Sequence, residues 1–262
     1  MRAASSPNLL PVVSTPVSPT LERVRVELDD GAGTTAWVAR FERSRFDLRV
    51  AVIDPCATVL RWCEETEAEH AIVGGFYMRP GGPPLGHLRV DGVKLAAEPF
   101  DAPWDARRAC VHSTDGRVAL AAWRDLPADA AGDVLQAGPM LVAADRHLIE
   151  PGEDREGFAA GARQFDSDIT SGRYPRAALG LSDQHLVAVV CEGRADGEAG
   201  LSMAELASVM IDLGARDAIN LDGGGSASLV VGGALVNTPR EEHGIELPGG
   251  REVCTALRFA PR

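Results

Sequence analysis

One segment of the chain joins residue types suited to chemistry at a spacing that suggests it: Asn220-Leu221-Asp222-Gly223-Gly224-Gly225-Ser226. It sets a carboxylate beside three consecutive glycines and a hydroxyl. Glycines in a row cost backbone entropy, so a folded domain keeps them where the chain bends sharply or admits a ligand closely. Backbone N–H groups of such a loop form a concave anion site without any basic side chain. An acid beside that cradle points to a phosphorylated or otherwise acidic substrate. An Asp-Gly turn is the plain alternative. A turn needs one glycine, however, and three followed by serine favour function.

Other chemistries fit less well. The lysine of a nucleotide-binding P-loop is missing, and a strand is predicted after the glycines. Ser226 lacks the final glycine of a hydrolase nucleophile elbow, and a serine that merely bonds the loop backbone is the simpler reading. An esterase using Ser226, with His185 or His243 as base, remains a second reading. Glu192 closes the predicted strand His185–Cys191 and is either catalytic or solvated. Arg173 and Arg176 bracket Tyr174-Pro175, a rigid turn that suits bidentate phosphate contact by Arg176. Gly74-Gly75 repeats the theme of backbone lying close to a ligand. No cofactor is required; Asp222, Glu192 and Asn220 could hold a divalent cation, although no ligand spacing demands one.

The elements that position these groups follow from periodicity. Alternation predicts strands over Val24–Leu28, Trp37–Phe41 and Phe46–Ile53, and a hairpin over residues 178–191. An amphipathic helix is expected over residues 56–69, then a short strand, Ala71-Ile72-Val73. Loops rich in proline, glycine or polar residues are expected over 79–86 and 151–175. Asp91-Gly92 and Asp115-Gly116 signal hairpins. Ser202 and Glu205 have capping-box spacing for a helix to Leu213, whose Leu206, Val209, Met210 and Leu213 form a core stripe. Strand Ala218–Asp222 would point Ile219 and Leu221 into the core and leave Asn220 and Asp222 on the other face. Strands over Ala227–Val231 and Ala234–Asn237 follow.

Bulk properties bound the answer. A chain of 262 residues with 45% hydrophobic content can bury a sizeable core. Its net charge of −12, with the basic residues scattered, argues against binding duplex nucleic acid. The same field repels anions at long range, so an anion site must be local and preorganised. The five cysteines are odd in number and irregularly spaced, and predict reduced, buried thiols. No run reaches a membrane span. Residues 1–20, rich in proline and serine, read as a flexible tail without a signal peptide, ahead of a single domain over 21–262. Those features predict a cytoplasmic location.

The pieces together resemble the phosphodiester glycosidase family, which includes many bacterial proteins. The heptapeptide at 220–226 carries the likeness most specifically. Gly74-Gly75-Phe76-Tyr77, Gly138-Pro139-Met140-Leu141, Arg176-Ala177-Ala178-Leu179-Gly180 and Glu192-Gly193-Arg194 add weight by their order, as do Asn237-Thr238-Pro239 and Arg251-Glu252-Val253. Val73 stands where relatives often have asparagine, Ala177 where threonine is usual, and Glu192 where aspartate is usual. The resemblance implies an α+β (mixed α/β) domain with a central, largely antiparallel or mixed sheet flanked by helices. It implies hydrolysis of a sugar-1-phosphodiester to free sugar and a phosphomonoester. Asp222 and Glu192 would be the catalytic carboxylates. Gly74, Gly75, Arg176, Asn220, Gly223, Gly224, Gly225, Ser226 and Asn237 would bind the substrate. A non-catalytic binding protein for sugar phosphates or nucleotides is the alternative from another class.

Overall fold

Strands Arg176–Leu181 and His185–Cys191 are buried at every position except His185, as expected of the centre of a sheet covered on both faces. The computed structural model describes residues 18–78, 81–150, 153–159, 169–170 and 172–262. In it these strands form the middle of a seven-stranded sheet. Its order is Thr20–Glu27, Gly33–Glu42, His185–Cys191, Arg176–Leu181, Asp217–Asn220, Met140–Ala143, Arg146–His147, with every pairing antiparallel. One face packs on the helix Met203–Asp212 through Leu206, Ala207 and Met210. Ser202 caps that helix, and the predicted capping box is present in both directions.

The opposite face packs on a five-stranded antiparallel sheet ordered Ala234–Leu235, Leu229–Val231, Ala71–Val73, Val253–Pro261, Phe46–Ala57. A third sheet, of five strands between residues 88 and 136, adds Leu88, Val111 and Leu135 to the same core. Its two hairpins turn at Asp91-Gly92 and Asp115-Gly116, each pair at positive φ, as a two-residue turn of matching twist requires.

The fold therefore corrects the expected class. Two α-helices accompany seventeen strands among the described residues, so the molecule is mainly β rather than a sheet flanked by helices. The helix expected over 56–69 is trimmed to Val59–Thr66, because residues 46–57 pair as one long strand with 253–261 before Thr58 caps the helix. The strand expected to run to Asp222 ends at Asn220. There the chain leaves the sheet, and the Asp222 N–H donates to Gly74 O at 3.0 Å. The opening strand already includes Thr20. Residues 1–17 of the expected tail lie outside the described residues. So do 79–80 of the first expected loop and 151–152, 160–168 and 171 of the second.

The cysteine expectation is also corrected. Cys56 and Cys254 form a disulfide between adjacent strands, 198 residues apart in sequence. Spacing could not reveal a pair made by strand register. Cys63, Cys110 and Cys191 are free and buried.

Candidate active site

Register brings the predicted residues together. Ala178 pairs with Asn220 across antiparallel strands, and side chains two residues further along share a face. Arg176 and Asp222 thus lie side by side at one end of the sheet. Arg176 also pairs with Cys191, so Arg194, three residues beyond, emerges at the same end. Asp222 and the glycine loop are pinned from both sides. Besides the bond to Gly74, Gly224 N–H donates to Pro175 O at 2.8 Å. The loop then makes a single 3-10 turn, Gly224–Ser226, with Gly224 at φ +59°.

At this end opens a cavity of about 510 Å³, within the range of small-ligand sites. Asp222, Asn220, Gly223, Gly224 and Arg176 line it, together with Phe76, Tyr77 and Tyr174. Asp222 Oδ1 accepts from Gly223 N–H at 2.9 Å. Asn220 is buried, and its Nδ2 donates to Gly138 O at 2.9 Å. Its Oδ1 is buried with no hydrogen-bond partner among the described residues. Such an acceptor carries a desolvation cost unless a ligand donates to it.

Several expected binders serve the walls instead. Gly74 and Gly75 pack beneath the site. A Cβ on Gly74 would lie 2.5 Å from Thr255 Oγ1, and one on Gly75 would lie 2.7 Å from Gln136 O. Neither lines the cavity, and neither do Gly225, Ser226 and Asn237. Asn237 braces the chain after the loop, donating to Ala227 O and accepting from Leu229 N–H. Ser226 is fully buried, and its Oγ accepts from Arg251 Nη1 at 3.4 Å. A buried hydroxyl facing a guanidinium rather than a base gives the esterase reading no support. Arg173 turns outward to Glu205 and Asp30.

Glu192 also lies elsewhere. Its carboxylate accepts from Trp37 Nε1, Thr238 N–H and Arg240 Nη1 at 3.0–3.1 Å, and it lines a separate cleft. Three donors anchor it as a brace for the segment 238–240. It does not converge with Asp222 and Asn220, so the three do not form the cation site considered from sequence. Val73 and Ala177, which depart from the family pattern, are fully buried in the hydrophobic core and do not line the cavity.

Arg194, Arg251 and Glu241, none of them named as a site residue from sequence, also line the cavity, as does His243, considered there only as an esterase base. A Cβ on Gly224 would sit 3.5 Å from Arg194 Nη1, which places that guanidinium over the glycine loop. Burial lowers the Arg194 pKa, and Glu241 and Glu242 oppose that shift. Burial works likewise against Arg251, but its hydrogen bond to Glu241 and the nearby Tyr77 and Asp222 hold its pKa above the ordinary value. The loop's own N–H groups are largely used. Those of Gly223, Gly224, Ser226 and Ala227 all bond within the protein. Where an anion cradle without basic side chains was expected from sequence, the cavity lining instead gathers Arg176, Arg194 and Arg251 around a tight glycine turn. The sequence signals were position and motif: Arg194 follows the predicted strand end and closes Glu192-Gly193-Arg194, and Arg251 follows Gly249-Gly250 and opens Arg251-Glu252-Val253.

Residues 66–259 match the family model for phosphodiester glycosidases. The chain belongs to the phosphodiester glycosidase family. Its fold is similar to that of a hypothetical protein from Synechocystis (TM-score 0.71, 17% identity), covering 95% of this chain and 64% of that one. It is equally similar to the catalytic domain of zebrafish N-acetylglucosamine-1-phosphodiester alpha-N-acetylglucosaminidase, auto-inhibited by its pro-peptide. There the TM-score is 0.71 at 18% identity, over 96% of this chain and 86% of the zebrafish one. A protein from Burkholderia pseudomallei K96243 aligns at TM-score 0.60 and 19% identity, over 88% and 74%. At these identities the likeness establishes the fold. No curated protein matches the chain in sequence.

Proposed function

We propose that this phosphodiester glycosidase hydrolyses a sugar-1-phosphodiester at its glycosidic bond. Water adds to the anomeric carbon, the bond from that carbon to the phosphate oxygen breaks, and the products are free sugar and a phosphomonoester. The observation that carries the reading is the placement of Asp222 in one cavity with Arg176, Arg194 and the glycine turn. A phosphate ester leaves easily, because the second pKa of its phosphate is about 6. Strong protonation of the leaving group is therefore unnecessary, and one carboxylate on the sugar side suffices. Charge grows on the phosphate as an oxocarbenium-like sugar forms, and preorganised cations stabilise it. The role follows for Arg194, which stands over the glycine turn. Asp222, fixed by Gly223 N–H, takes the proton from the attacking water. Asn220 Oδ1 offers an acceptor to a sugar hydroxyl, and Tyr77 and Tyr174 supply flat walls for a ring.

Because Val73 and Ala177 sit in the core, their departures remove no cavity group, which favours an enzyme over a binding protein. The Cys56–Cys254 bond supports an oxidising compartment in place of the cytoplasmic one expected from composition. A panel of sugar-1-phosphodiesters and nucleotide sugars, assayed for released sugar, tests the activity. At least one diester should turn over; tight binding with no product after long incubation would instead select the binding protein.

A further inference from the structure

Glu241 is a carboxylate placed where an anion should be attracted. Its Oε1 accepts from Arg251 Nε at 2.8 Å and also from Arg251 Nη2. Its Oε2 lies 3.8 Å from Arg194 Nη1. One acid side chain therefore spans two of the three cavity arginines. A turn holds it there: Glu241 N–H donates to Ile245 O at 2.8 Å, across His243 at φ +60° and Gly244 at φ +74°. Arg251 has anchors of its own. Its N–H donates to Gly225 O at 3.2 Å and its Nη1 to Ser226 Oγ. An acid is therefore not needed merely to hold Arg251 in place.

We propose that Glu241 is a specificity-determining residue that admits a phosphodiester and disfavours a phosphomonoester. The proposal rests on the reading of this cavity as a phosphodiester site. A diester carries one negative charge, and a monoester close to two at neutral pH. Arg194 and Arg251 together carry two positive charges and Glu241, between them, one negative, so the one that remains on this pair matches a single anionic charge better than two. Coulomb work is linear in ligand charge. At roughly 6–7 Å and an effective dielectric of about 20–40, each ligand charge changes affinity by about tenfold or more. The same bias expels the phosphomonoester once the glycosidic bond has broken, so the product inhibits weakly.

The test is calorimetric titration at pH 8 with two probes that share a phenyl group and differ by one charge, phenyl phosphate and methyl phenyl phosphate. Wild type should prefer methyl phenyl phosphate. Glu241→Gln should tighten phenyl phosphate at least tenfold more than it tightens the diester. Glu241→Asp, which keeps the charge, should preserve the wild-type order. If Glu241→Gln weakens both probes alike, or leaves their ratio unchanged, Glu241 only positions Arg251 and the inference falls while the phosphodiester reading stands. If neither probe binds wild type, both fall together. A melting curve for each variant separates these outcomes from misfolding, and Gln keeps the shape and the acceptor of Glu at this partly exposed position.

Discussion

In the proposed reaction Asp222 is the residue on which the chemistry turns. Its replacement by asparagine keeps the shape and the acceptor to Gly223 N–H while removing the base. We expect sugar release to fall by about a hundred- to ten-thousand-fold with an unchanged melting temperature, measured on the best diester of the panel. Arg176 is a poor probe of phosphate contact, because its guanidinium also donates to the carbonyls of Leu201, Ile169 and Gly172. Its loss would loosen the walls. Arg194→Ala is cleaner. Removing a charge-assisted contact worth about 1.5–3 kcal/mol should raise KM for phosphodiesters by roughly ten- to a hundredfold, and leave neutral glycosides much less affected. Equal losses on both would remove Arg194 from phosphate binding. At this scale the sequence was half legible. Asp222, Asn220 and Arg176 announced themselves through a rare glycine triplet and a rigid turn. Arg194, Glu241 and Arg251 did not, since an arginine in a loop is ordinary until register shows what it faces. Glu192 misled because a carboxylate at a strand end looks the same whether it faces substrate or, as here, Trp37, Thr238 and Arg240.

Elements fix the site through close backbone contacts more than through long-range charges. Gly74 lies so near Thr255 that Gly74→Ala should cost about 1–3 kcal/mol by overpacking; it should lower activity together with stability, seen as parallel losses in denaturant midpoint and turnover. The capped helix should behave differently. Ser202→Ala should cost about 1 kcal/mol and leave kcat unchanged, because neither Ser202 nor any residue of the helix lines the cavity. Beside the chain at Gly138-Pro139, Glu156 is buried and accepts from Ala109 and Met140 N–H. Burial dominates there and pushes its pKa from 4.5 to about 7. A folded-state pKa above the unfolded one favours the native state while the acid stays protonated, so this contribution is lost as pH rises from about 4.5 through 7. The denaturant midpoint should fall over that window, and Glu156→Gln should flatten the fall. The hairpins, the capping box and the core stripe were readable because their signals are local. The trimmed first helix was not, because pairing of residues 46–57 with a strand two hundred residues away overrode its periodicity.

Among the described residues the molecule is an antiparallel β structure of three sheets; the family likeness implied a largely antiparallel or mixed central sheet but not that two further sheets, rather than helices, accompany it. Its disulfide closes a loop of 198 residues. Reduction, or Cys56→Ser, should remove about 2–4 kcal/mol of stability. A net charge of −12 surrounds a cavity built on three arginines, so attraction of an anionic substrate is confined to the site itself. The central claim is that this site breaks the bond from sugar to oxygen rather than the bond from oxygen to phosphorus. Hydrolysis of an accepted sugar-1-phosphodiester in water enriched in oxygen-18, read by mass spectrometry, distinguishes the two. The account predicts the label in the released sugar and none in the phosphomonoester; label in the phosphate would contradict it.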